Sequence, residues 1–191
     1  AKLFILNLLP GRNMNWYVDI VTNHPIITAV IQFAILGTLG EHISKWIIAK
    51  KIHQPFTPLE TAWKMVEWGI LAILIKFAFI GYGGFIDSLT AHGFLPEMSG
   101  VVRSFSLSVA MNLQFGLLLV ICHRILDNLF KSEKNWDNID KGLLSLIWFW
   151  IPAHTITFIL PRVYQIGLAA LWSVVLGIIL GFFNKKRSLS S

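Results

Sequence analysis

The stretch R-S-F-S-L-S-V-A-M-N-L-Q-F-G-L-L-L-V-I-C-H-R-I-L-D, Arg103 to Asp127, decides the fold. Nineteen residues, Ser104 to Cys122, carry no charge. As a helix that length crosses the ~30 Å hydrocarbon core of a bilayer. The run is not uniformly apolar. Asn112 and Gln114 sit near its middle, and His123, Arg124 and Asp127 close its far end. At about 100° per residue, Asn112, Gly116, His123 and Asp127 share one face. A polar stripe on a membrane helix is costly unless it faces protein or water. This helix is therefore expected to line an interior around which other spans are arranged.

Working outward, four more apolar runs emerge. Span 1 covers roughly Pro25 to Ile48 and ends in Glu41, His42 and Lys45, with Glu41 and Lys45 spaced to pair. Span 2 covers Leu59 to Ser88. Lys76 interrupts it midway, and Gly69, Lys76 and Gly83 recur every seven residues, inviting close helix approach beside the lysine. The opening stretch is span 3. Span 4, Gly142 to Leu160, carries Pro152 and His154. Pro152 removes a backbone donor and frees the carbonyl of Trp148, which predicts a polar or hydrated spot near His154, Thr155 and Thr157. Span 5, Val163 to Phe183, has no charge and presents Ser173, Gly177 and Gly181, a small-residue ridge for helix packing.

Composition agrees. Of 191 residues 55% are hydrophobic and 14% charged, and the mean hydropathy is +0.65. That profile belongs to a polytopic membrane protein rather than a soluble domain. The net charge of +6 gathers between apolar runs, so it speaks for span ends and against nucleic acid. With five spans, Lys and Arg outside Lys76 divide four to one side and eleven to the other. The basic side is expected to be cytoplasmic, with the N-terminus out and the C-terminus in. Four spans, the last lying flat, is the alternative and would spoil this asymmetry.

The predicted fold class is thus an all-α polytopic bundle of five transmembrane helices. Residues 1–24 form an N-terminal interfacial segment with a short amphipathic helix near Trp16 and Tyr17, residues 25–184 a single bundle, and residues 185–191 a basic tail. Residues 1–10 look superficially like a signal peptide, but they have one Lys, a short apolar region and no small-residue cleavage site.

The polar residues define the candidate site. Lys76, Asn112, Gln114, His123, Asp127 and His154 are the candidates for a pore or solute-binding interior lined by spans 2 to 4. Each also has a structural reading. Lys76 fits a pathway or a carboxylate partner. Arg124 with Asp127 fits an interfacial ion pair, Asn112 and Gln114 fit interhelical hydrogen bonding, and His154 fits either a relay or a neutral imidazole on a freed carbonyl. Glu41, His42 and Lys45 read as a span-end cluster. Cys122 stands alone, which excludes an internal disulfide and a cysteine metal cluster. No zinc repeat, phosphate loop, nucleophile elbow or CxxC occurs, so no catalytic residue, metal or cofactor is assigned.

The order of marks resembles the 22-kilodalton peroxisomal membrane protein family, which includes the mitochondrial protein Mpv-seventeen. His24-Pro25 and Gly40-Glu41 are similar to that family's His-Pro and Gly-Asp at the ends of its first span, with Glu in place of Asp. Gly116 with Arg124-Ile125-Leu126-Asp127 is similar to the ends of its Gly-Pro…Trp-Tyr-x-x-Leu-Asp run, with Leu117 for the proline and no aromatic pair. The run also falls on span 3 here, not span 2. Trp148, Trp150, Pro152, Phe158, Pro161 and Trp172 resemble its Trp-Pro…Asn-Phe…Val-Pro pattern with altered spacing. The resemblance implies a channel or small-solute pathway. The expected membrane is the mitochondrial inner or peroxisomal membrane in a eukaryote and the plasma (inner) membrane in a prokaryote. The expected function is a channel or transporter for small solutes or ions. Its expected partners are the lipid bilayer, the solute and a homo-oligomer. A non-transporting scaffold using the span 5 ridge, and an intramembrane lipid-modifying enzyme, are the alternatives.

Overall fold

The computed structural model describes residues 15–132, 134–137 and 139–188. The expectations for residues 1–14 and for 189–191 lie outside these. Six helices follow one another: α1 Asn15–Asn23, α2 Pro25–Ala49, α3 Pro58–Ala91, α4 Gly100–Lys131, α5 Ile139–Ile159 and α6 Arg162–Ser188. No strand occurs among the described residues. The last five helices are each long and apolar enough to cross a bilayer. The chain is an integral membrane protein of the all-α class.

Local chemistry sets the helix ends. Pro25 and Pro58 occupy first-turn positions, where a missing N–H costs nothing. Thr57 caps α3 reciprocally with Glu60: the hydroxyl accepts from the Glu60 amide at 3.2 Å, and the carboxylate accepts from the Thr57 amide at 2.7 Å. Lys50 and Ser132 close α2 and α4 in the left-handed region. α6 continues through Lys185, Lys186 and Arg187, so the expected basic tail is helical backbone as far as Ser188.

α2 packs between α3 and α6, and α4 pairs with α5. Ala29 and Phe33 of α2, Leu71 and Ala72 of α3, and Ala169 and Ala170 of α6 form the centre of the core. Small residues set the closest approach. A Cβ on Gly177 would collide with the Gly40 carbonyl, one on Gly40 would stand 2.7 Å from the Ser173 carbonyl, and one on Gly181 would stand 3.1 Å from Ile47. The ridge of Ser173, Gly177 and Gly181 is therefore filled by α2 of the same chain. α1 lies at the other end of these helices, where Tyr17 donates to Gln32 at 3.4 Å and stacks on Tyr164. Burial pushes the Tyr17 phenol above its usual range, which keeps it a donor.

α4 and α5 each contain one π-turn, Asn112–Gly116 and Leu146–Trp150, and the two face each other. An added Cβ on Gly116 would meet Leu146 at 2.9 Å. The π-turn in α5 directs the Ile151 amide to the Leu146 carbonyl just before Pro152. The hydroxyls nearby converge on the Ile151 carbonyl, with Ser108 donating at 2.8 Å and Thr155 at 2.7 Å. The sequence pointed to the Trp148 carbonyl; the hydroxyl contacts fall on that of Ile151.

Candidate functional site: an ion network between three spans

Ionisable side chains from α2, α3 and α4 meet at the membrane end near the α2–α3 and α4–α5 loops. Glu41 follows Gly40, whose missing side chain lets α6 close behind it. On α3, Lys64, Glu67, Leu71 and Ile75 recur at helical spacing on the buried face, so two charged residues continue an apolar stripe. On α4, His123 and Asp127 are one turn apart.

Lys64 is the hub. Its ammonium lies 2.5 Å from Glu41, 3.5 Å from Asp127 and 5.0 Å from the centre of the Phe56 ring. Glu41 also accepts from the Trp68 indole at 2.9 Å. Asp127 takes Lys131 at 3.2 Å and, more loosely, Arg124 at 3.9 Å. Arg124 places its better contact, 3.0 Å, on the Asp137 carbonyl. Glu41 thus draws its cation from another helix, not from Lys45. Lys64 sits at the meeting point of three helices, a position that spacing along α2 cannot reveal.

Glu67 is the outlier. It is 0% exposed, and neither carboxylate oxygen has a hydrogen-bond partner. His123 brings Nε2 to 3.1 Å from one of these oxygens, within ion-pair distance but not aligned as a hydrogen bond, and to 3.8 Å from Glu41. The imidazole is held against Trp68 at 4.9 Å between ring centres. A proton passing between Nε2 and the carboxylate converts an ion pair into two neutral groups. Either state leaves the pair without net charge, which matters where solvation is poor.

A second node lies deeper. Asn112 donates to the Ser108 carbonyl at 2.8 Å and faces His154 Nδ1 at 3.1 Å. Trp150 stacks on His154 at 5.0 Å, and Phe79 meets it edge-on at 5.5 Å. Eleven residues of α4 separate Asn112 from His123, about 16 Å of helix. Phe115, Leu119 and Cys122 pack against the core in that interval. The two polar nodes are separated by apolar side chains.

The structure thus groups four of the six sequence candidates into two nodes, His123 with Asp127 and Asn112 with His154. The other two are corrections. Gln114 is exposed on the outside of α4, because residues two apart on a helix face opposite sides and Asn112 takes the inner one. Lys76 is partly exposed and shares its face of α3 with Phe77 and Ile80, which are 59% and 65% exposed. It makes no ion pair or hydrogen bond among the described residues. Lys64 and Glu67 were missed. Their signal was the spacing Lys64, Glu67, Leu71, Ile75, which sets charge on the core face.

No group of His, Cys, Asp and Glu among the described residues has the geometry to hold a metal ion. No protein-family model, curated protein or solved structure matches the chain.

Proposed function

We propose that the protein moves a small solute across the membrane between α3, α4 and α5, and that the Glu67–His123 pair couples this movement to protons. The observation that carries the reading is Glu67, an unexposed carboxylate with no hydrogen bond, facing an imidazole within a membrane bundle. Buried unsatisfied groups of this kind are rare in structural ion pairs, and ionisable residues within spans commonly mark ion and proton routes. The apolar interval between the two polar nodes supports gated passage rather than a standing pore. In the orientation proposed here the ion network is on the cytoplasmic side, beside the basic loops. The likeness of His24-Pro25 and Gly40-Glu41 to the peroxisomal membrane protein family points the same way.

The scaffold reading loses its main support, since the small-residue ridge of α6 is occupied by α2. The test is uptake of small solutes into liposomes holding the purified protein, with and without a pH gradient. Wild type should show gradient-driven flux, and Glu67→Gln should lose it while still folding. Equal flux in both would overturn the coupling.

A further inference from the structure

Lys76 has no acidic partner among the described residues, and its depth limits what can supply one. Along α3 it stands nine residues from Glu67 in the ion network and eleven from Asp87 at the opposite end. These are about 13 and 16 Å of helix. Asp87 is bound by Arg103 at 2.5 Å. The acidic residues of the described spans lie at or beyond these two layers, and none at the level of Lys76. A lysine side chain is too short to reach either layer. A second copy of the chain rotated about the membrane normal would keep each residue at its own depth, so it brings no carboxylate to Lys76 either.

The surface beside Lys76 is open and apolar. Val30 of α2 and Met65, Val66, Gly69, Ile70 and Ile73 of α3 line a shallow groove of about 380 Å³. Ile73 and Lys76 are one turn apart on the same face. Gly69 makes the groove's floor, because a Cβ there would stand 3.2 Å from Val30. Beyond Lys76, Gly81, Gly83 and Gly84 have no neighbour within 4 Å of where a Cβ would be.

From this we infer that Lys76 and the α2–α3 groove bind a long-chain carboxylic acid from the bilayer, chain in the groove and carboxyl on the ammonium. A protonated fatty acid enters hydrocarbon as a neutral molecule. When it meets Lys76 as the free amine, its carboxyl proton passes to Nζ. The O–H bond breaks, an N–H bond forms, and the resulting carboxylate–ammonium pair carries no net charge. A hydrophilic anion would have to shed its water to reach this depth, at high cost. A phospholipid head group is tethered near the interface by its own chains.

The test uses the full chain in phosphatidylcholine nanodiscs with a fatty acid bearing a diazirine on its chain, followed by photolysis and peptide mapping. Label should concentrate on Val30 and on the Met65–Ile73 segment, and excess palmitate should compete it away. Lys76→Met should lower labelling about tenfold, the loss of roughly 1.4 kcal/mol of binding, while Lys76→Arg retains it. Both variants should elute and melt as the wild type does, since neither residue is packed in the core. Three results would overturn the inference: equal labelling in Lys76→Met, equal competition by phosphatidylglycerol, or a cross-linked dimer across this face that excludes the probe.

Discussion

His123 Nε2 lies 3.1 Å from Glu67 Oε1, and that carboxylate has no other partner on either oxygen. The imidazole is its route to charge compensation. Around the pair stand Glu41, Lys64 and Asp127, already engaged with one another.

Glu67→Gln removes the titrating oxygen but keeps the shape. Gradient-driven flux in liposomes should fall at least about tenfold, a loss of roughly 1.4 kcal/mol. Any residual flux should lose its dependence on pH. Flux is measured at fixed gradients from pH 5.5 to 8. A wild-type profile retained in the variant would sink the assignment.

Lys64→Met strips the hub cation and leaves Glu41 and Asp127 facing each other without it. Breaking a buried pair from one side costs about 3–5 kcal/mol, so the melting temperature in detergent should drop sharply. Adding Glu41→Gln should restore part of the loss. If the double variant is less stable than Lys64→Met alone, the Glu41–Lys64 contact is not what holds the three helices.

Gly177→Val places methyl groups on the backbone of Gly40, which cannot yield as a side chain would. Overpacking of this kind costs about 1–3 kcal/mol or more. A thermal melt should show destabilisation with no change in oligomeric state by light scattering. Loss of a dimer with an unaltered melt would instead assign the ridge to a partner.

Asn112→Leu removes the donor shared by the Ser108 carbonyl and His154. An orphaned buried acceptor costs about 1–3 kcal/mol. Hydrogen exchange measured by mass spectrometry should rise around the two facing π-turns, with α2 and α6 unaffected. Unchanged exchange at Asn112–Gly116 and Leu146–Trp150 would mean that the node does not brace them.

The resulting division is physical. Helix number, helix ends and membrane character follow from quantities local in the chain: runs of apolar side chains long enough to span a bilayer, prolines at first turns, and the Thr57–Glu60 cap. The ridge of Ser173, Gly177 and Gly181 was equally legible, since small residues four apart share a face. Its partner was not, because nothing local says that α2 rather than another chain will fill it. Asn112 and Gln114 show the limit more sharply. Two residues apart near the middle of one span, they face opposite sides of the helix, and only the packing of α5 decides that Asn112 is the buried one, against His154. Lys76 stood out as the one charge in mid-span, and only the packing of α2 against α3 placed it on the outer face. Glu41 read as a span-end charge, and Lys64 and Glu67 were not singled out, because their meeting depends on contacts across more than twenty residues of chain, between Glu41 and Lys64, and on to α4. Hydrophobic length is a sum over neighbours in sequence and survives any arrangement of the helices. An ion network is a set of distances between helices, and only the tertiary structure determines those.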